Sequence, residues 1–123
     1  MEEGNDRLNF RAKSLSYDES WRDMIVEMIR DGKAEHALAL LSEKYGVTPP
    51  NLRIGTVKGR RKALGCYVAK RTTIYVSTSE IMTEPYVVLH EFYHHLRSAE
   101  GKFGGSEKHA GKFALEFLYP RNH

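Results

Sequence analysis

Residues 87–96 read Val87-Val88-Leu89-His90-Glu91-Phe92-Tyr93-His94-His95-Leu96, and two patterns overlap in this stretch. Val88, Phe92 and Leu96 recur at four-residue intervals, which predicts an amphipathic helix with this apolar stripe in the core. Four residues turn a helix by about 400°, so His90 and His94 project together from another face. The stretch therefore predicts a helix that is anchored on one side and presents two imidazoles on the other.

The two histidines belong to the arrangement His-Glu-x-x-His, which lets both imidazoles bind one metal ion from the same helix face. Glu91 lies about 100° around the helix from His90, where its carboxylate can reach a metal-activated water without being a ligand. This is the pattern of zinc metallopeptidases, in which the glutamate is the general base. We therefore expect His90 and His94 to bind Zn²⁺ and Glu91 to be catalytic; the alternative is two surface histidines. His95 points elsewhere and is interpreted as a packed or hydrogen-bonded structural histidine.

A catalytic zinc site usually has three protein ligands and one open position, so a third ligand must lie outside the motif. The long metzincin pattern is excluded, because it requires glycine at Arg97 and histidine at Glu100. The downstream candidates are Glu100, Glu107, His109 and Glu116. We predict His109 as the third metal ligand, because it lies in the first turn of the last helix with the apolar Phe113 one turn later. Glu107 is the main alternative.

The N-terminal part of the chain has helical spacing of apolar residues. This spacing predicts one helix from about Asp18 to Arg30 and a second from about Ala34 to Tyr45, which Gly46 ends. Residues 1–17 are polar and are interpreted as a flexible N-terminal arm. Residues 18–123 have the length of a single domain.

Between residues 51 and 77 the apolar period changes from that of a helix to that of a strand. Three short strands are predicted, at Leu52 to Thr56, Leu64 to Val68 and Thr73 to Ser77. Because their connections are short, we expect an antiparallel meander. The helical period then returns in residues 85–99 and in a last helix that Ser106 can cap. The expected fold class is α+β, with two N-terminal helices, the meander, the His-Glu-x-x-His helix and a C-terminal helix.

The charge of the chain is unevenly distributed. Residues 44–79 contain eight Lys and Arg residues and no Asp or Glu, whereas the remainder has eleven basic residues against sixteen acidic ones. One interpretation is a solvated sheet edge protected by its charges against aggregation. The other is a docking surface for nucleic acid or an acidic partner. Charge alone does not separate the two interpretations.

The sequence also indicates the compartment. No apolar run approaches the ~18 residues that a membrane-spanning helix needs, so no membrane partner is expected. Residues 1–10 lack the basic and then apolar pattern of a secretory signal. The single cysteine, Cys66, leaves no internal disulfide, as is usual in a reducing environment. We expect a cytoplasmic protein.

From about residue 50 to 118 the chain resembles the zincin metallopeptidases, and within them the small SprT-like and ImmA/IrrE-like domains. The resemblance depends on the basic strands, the stretch quoted above and Glu107-Lys108-His109-Ala110-Gly111-Lys112-Phe113-Ala114. SprT-like domains place their third zinc-binding histidine four residues before an aromatic, as His109 stands to Phe113. The resemblance implies a minimal zincin-like metalloprotease domain with a protein or peptide substrate, bound as an extended strand along Thr73 to Ser77. SprT-like enzymes cut DNA-associated proteins, which is compatible with a nucleic-acid surface in residues 44–79.

Overall fold

The computed structural model describes residues 17–101 and 106–119, which form an α+β fold with four helices and one three-stranded mixed sheet. The helices are α1 (Tyr17–Arg30), α2 (Ala34–Tyr45), α3 (Pro85–Ala99) and α4 (Glu107–Leu118), and the strands are β1 (Asn51–Ile54), β2 (Gly65–Val68) and β3 (Thr73–Val76). Except for Tyr17, the predicted N-terminal arm lies outside the described residues. None of the helices within the described ranges is both long and apolar enough to cross a membrane.

The two N-terminal helices were predicted with bounds correct to within one residue. Gly32 separates them with a φ of 84°, and Gly46 ends α2 with a φ of 71°. Glycine tolerates this left-handed backbone because it has no Cβ. The apolar faces of both helices are buried in the core, where Ile25, Ile29, Leu38 and Leu41 are at most 1% exposed. The pair thus covers one side of the domain.

The prediction of an antiparallel meander is wrong, because the sheet contains one parallel and one antiparallel pair of strands. The strand order is β1-β3-β2, with β1 parallel to β3 and β2 antiparallel to β3. A tight connection through Ala69–Arg71 and Thr72 joins β2 to β3 as a hairpin, whereas residues 55–64 are long enough to carry the chain past the central position. Of the three strands, β3 has the most buried residues, which is consistent with its position in the middle of the sheet.

This strand order also corrects the strand assigned to substrate binding. Residues 73–77 were expected to form the sheet edge that binds an extended peptide, but β3 is the central strand and is paired on both sides. The free edges belong to β1 and β2. Of these two, β2 packs against α3, which carries the His-Glu-x-x-His motif.

The helix α3 lies at the centre of the domain and contacts β2, β3 and α4. It begins at Pro85, which occupies the first turn, where a missing N–H removes no helical hydrogen bond. Its predicted apolar stripe is confirmed, since Val88 and Phe92 are fully buried and Leu96 is 8% exposed. With that face fixed in the core, the position of the motif's polar side chains is determined by the helical period.

Candidate metal centre

The two histidines of the motif lie side by side on α3. The centroids of the His90 and His94 rings are 5.3 Å apart. Tyr86 packs against His90 and Tyr93 against His94, with centroid distances of 5.6 and 5.9 Å. The side chains of the two histidines are 14% and 18% exposed, so both rings are largely held by protein but reach the surface.

The first residue of α4 brings a carboxylate to this histidine pair. Glu107 Oε1 lies 2.7 Å from His90 Nε2, and Glu107 Oε2 lies 3.1 Å from His94 Nε2. One ligand atom from each of the three side chains can be chosen so that all lie within 4.8 Å of one another. Ser106 fixes the start of α4, because its hydroxyl accepts a hydrogen bond from the His109 backbone N–H. The helix start therefore sets the position of Glu107 opposite the two imidazoles.

His109, which was predicted as the third ligand, does not belong to this group. Its side chain is exposed, and its Nδ1 is hydrogen-bonded to the hydroxyl of Ser106. Within residues 17–101 and 106–119, the only group of metal-binding side chains is His90, His94 and Glu107. The structure thus brings together two of the three predicted ligands and adds Glu107, the alternative considered from the sequence.

The pKa shifts favour an ionised Glu107 and a neutral His94. The hydrogen bond from His90 lowers the pKa of Glu107, and the nearby His94 lowers it further. Burial lowers the pKa of His94, against an opposing effect of the Glu107 charge. A neutral imidazole and a deprotonated carboxylate are the forms in which these side chains bind metals.

Glu91 lies beside this group without joining it. Its side chain is buried and lies against Gly65 of β2. A Cβ on Gly65 would lie 2.6 Å from Val87 Cγ1 and 3.1 Å from Glu91 Cγ, so only glycine allows this approach. Burial raises the pKa of Glu91, and the effect is partly offset by His90 and by a hydrogen bond from the Tyr67 backbone N–H. A buried carboxylate with a raised pKa is suited to accept and return a proton.

His95 is hydrogen-bonded in the interior, as the sequence suggested. Its Nε2 lies 2.7 Å from the Thr48 carbonyl oxygen, and its Nδ1 lies 2.9 Å from the Tyr67 hydroxyl. Burial lowers the pKa of His95. From the sequence, Tyr67 was one of four tyrosines considered for stabilising an oxyanion, and Gly65 was not assigned to the site, although glycine within a predicted strand is a sign of close approach.

The donor set fits a metal ion. Among the described residues, His94 Nε2 is one of four buried side-chain nitrogen or oxygen atoms without a hydrogen-bond partner, and it is the His94 atom that faces Glu107. His94 Nε2 is directed at Glu107 but at an angle that makes no hydrogen bond. The ligand atoms of a tetrahedral zinc site are about 3.3 Å apart, given bond lengths of ~2.0–2.1 Å. The 3.1 Å contact is close to that separation, whereas the 2.7 Å contact is a direct hydrogen bond that would lengthen by about 0.6 Å around an ion.

Metal affinity distinguishes the two candidate third ligands. Glu107→Gln removes the charged carboxylate but keeps its shape, and we expect zinc affinity to fall by more than about 100-fold. Losing a residue that only hydrogen-bonds to a metal ligand costs at most about that much. His109→Gln, two residues away on the same helix turn, serves as the matched control and should leave the affinity unchanged. Competition with a chromogenic chelator measures both. Equal affinities for Glu107→Gln and the unmodified chain, or a loss only in His109→Gln, would contradict the assignment.

Comparison with known proteins finds no match to this chain among protein-family models, curated proteins or solved structures. The resemblance to zincin metallopeptidases stays a prediction from the two sequence motifs.

Proposed function

We propose that this protein is a zinc-dependent metallopeptidase. The observation that supports the proposal most is the convergence of His90, His94 and Glu107, with the buried carboxylate of Glu91 next to them. Two imidazoles and one carboxylate are a ligand set of catalytic zinc sites, which keep one coordination position open for water or substrate. When bound there, zinc supplies a Lewis acid that polarises the substrate carbonyl and acidifies water.

Glu91 performs the proton transfers in this mechanism. As a water molecule attacks the scissile carbonyl carbon, the Glu91 carboxylate accepts a proton from that water. The protonated Glu91 then gives this proton to the nitrogen of the leaving amine as the C–N bond breaks. Burial raises the pKa of Glu91 toward neutral pH, and a group with a pKa near the working pH can both accept and donate a proton effectively.

The peptide substrate is proposed to bind along β2, the free edge that packs against α3. Ser77 N donates to Leu64 O over 2.9 Å, and hydrogen bonding alternates along an antiparallel pair. The backbone groups of Gly65 therefore point away from β3 and can pair with an added strand. Gly65 is also the residue in contact with Glu91, so a peptide added here passes the proposed base.

Replacing the base tests this mechanism directly. Glu91→Gln keeps the size of the side chain but cannot accept the proton, so we expect kcat/KM to fall by about 10²–10⁴-fold. Zinc content should be unchanged, because Glu91 is outside the ligand group. The measurement is cleavage of an unstructured polypeptide library by the zinc-loaded chain, with Glu100→Gln, at the exposed position that follows α3, as the control. Undiminished cleavage by Glu91→Gln would reject the mechanism.

A second candidate function, nucleic-acid binding, is favoured by the basic segment. Seven of its eight cations are exposed and, among the described residues, form no ion pair: Arg53, Lys58, Arg60, Arg61, Lys62, Lys70 and Arg71. The eighth, Lys44, pairs with Asp18 at 3.7 Å. Unpaired cations held together by one small sheet are complementary to a phosphate backbone.

Part of this basic surface lies on the sheet face opposite the core. Arg53 is the cross-strand neighbour of Tyr75, and Arg71 donates a hydrogen bond to the Tyr75 hydroxyl over 3.0 Å. Two guanidinium groups beside a half-buried aromatic ring can contact phosphates and stack on a base. Burial mainly sets the pKa of Glu91 and the His90 hydrogen bond that of Glu107, and the charge of Arg60 lowers both slightly, so this one cation of the basic segment acts on the candidate site. The two functions can combine in cleavage of proteins associated with nucleic acid.

Salt dependence tests the nucleic-acid surface. If phosphates contact this face, the logarithm of the binding constant should fall linearly with the logarithm of salt concentration. Replacing both Arg53 and Arg71 with Gln should reduce the magnitude of this log–log slope by about 1.4–1.8, the value for two lost phosphate contacts. The Lys33→Gln, Lys112→Gln double variant makes the same change in net charge outside the segment and should keep the original slope. A flat response, or equal effects of the two double variants, would exclude this surface.

A further inference from the structure

Three polar side chains of α3 face a single residue of the edge strand. Glu91, His95 and Ser98 lie at positions i, i+4 and i+7, which form one side of a helix. Each contacts Tyr67 on β2: Glu91 through the backbone N–H, and His95 and Ser98 through the hydroxyl. None of these contacts belongs to the metal ligands, and the apolar stripe of α3 does not require them.

The direction of the hydrogen bonds is fixed by chemistry. The Thr48 carbonyl oxygen can only accept, so His95 Nε2 carries the proton and donates to it over 2.7 Å. In the neutral ring Nδ1 is then an acceptor, and the Tyr67 hydroxyl donates to it over 2.9 Å. Burial raises the pKa of Tyr67, and the nearby Ser98 hydroxyl lowers it. Donor and acceptor are thus defined for both hydrogen bonds that link Tyr67 through His95 to Thr48.

The backbone of Tyr67 is oriented toward Glu91 by the sheet. Leu64 and Ser77 form a hydrogen-bonded pair, and the alternation makes Cys66 and Tyr75 the next such pair. The N–H of Tyr67 therefore points away from β3, toward the free edge. Burial there raises the pKa of Glu91 and the Tyr67 N–H lowers it, while Gly65, two residues away on the same strand, lies against the same side chain.

We propose that Tyr67 and His95 are positioning residues for the base, and that their hydrogen bonds hold the free edge of β2 against Glu91. We call this set of contacts the Tyr67 clasp: the Tyr67 hydroxyl on His95 and the Tyr67 backbone N–H on Glu91. The inference rests on the proposed role of Glu91 in peptide hydrolysis. An edge strand of four residues is paired on one side only, so side-chain contacts are needed to hold its other side at a fixed distance from α3.

The clasp affects kcat more than it affects the binding of substrate or metal. The residues that bind zinc are untouched by it, and the free groups of Gly65 that would pair with a peptide are not part of it. What the clasp holds is the separation between the Glu91 carboxylate and the strand on which the peptide would lie. A small displacement of a catalytic group from its reactive geometry reduces kcat.

Tyr67→Phe removes the hydroxyl and keeps the ring, so the core packing stays. Hydrogen exchange of the full chain by NMR gives a readout that does not depend on activity. We expect the amide of residue 67 to exchange about tenfold faster, the equivalent of one net hydrogen bond. The amide of Cys66, which points to β3, should exchange at its original rate. Tyr75→Phe, the same change on the neighbouring strand, serves as the control and should alter neither amide.

Kinetics complete the test. In the zinc-loaded Tyr67→Phe chain kcat should fall about tenfold, matching the lost hydrogen bond, while KM and zinc affinity are unchanged. His95→Gln keeps one donor and one acceptor and should retain more of kcat than His95→Leu. Equal acceleration of the amides of residues 66 and 67 would mean general destabilisation and would overturn the proposal, as would an unchanged kcat. Absence of cleavage by the unmodified chain contradicts the proposed function instead, and the exchange data then report on the clasp alone.

Discussion

The contact of the Glu107 carboxylate with His90 and His94 joins the two helices of the site, and the proposed chemistry depends on it. The contact is possible because burial of Val88 and Phe92 fixes the rotation of α3, which turns the histidines toward α4. Gly111, one turn after Glu107, lets the two helices approach closely: a Cβ there would lie 2.9 Å from the Tyr86 hydroxyl oxygen. Tyr86 itself packs on His90. The apolar core, the glycine and the aromatic ring together bring three potential metal ligands close to one another.

Local spacing was enough to predict the helices and the first half of the site. The four-residue repeat through Val88, Phe92 and Leu96 determines which face of α3 is buried, and the same period puts His90 and His94 together. The bounds of α1 and α2 were equally accessible, because Gly46 ends α2 through a backbone conformation that is favourable only for such a residue. These features depend on contacts within a few residues, which a sequence displays directly.

Long-range geometry was beyond local spacing. The order of the strands depends on which of them is buried most deeply in the core. Three short apolar runs do not reveal their relative burial, so β3 was expected at an edge. The choice between Glu107 and His109 depended on the rotation of α4. Two residues turn a helix by about 200°, so the two side chains lie on nearly opposite faces and only one can face α3. The close approach of Gly111 to Tyr86 of α3 decides which one, and this contact joins residues that are far apart in the sequence.

The central claim is that His90, His94 and Glu107 hold one metal ion beside Glu91. A crystal structure of the zinc-loaded protein, with anomalous diffraction recorded on both sides of the zinc absorption edge, tests it most directly. The account predicts one anomalous peak about 2.0–2.2 Å from a nitrogen of each histidine and from a Glu107 oxygen, with Glu91 outside bonding distance. A peak bound by His109, a peak away from the two histidines, or no peak at full zinc saturation would contradict the account.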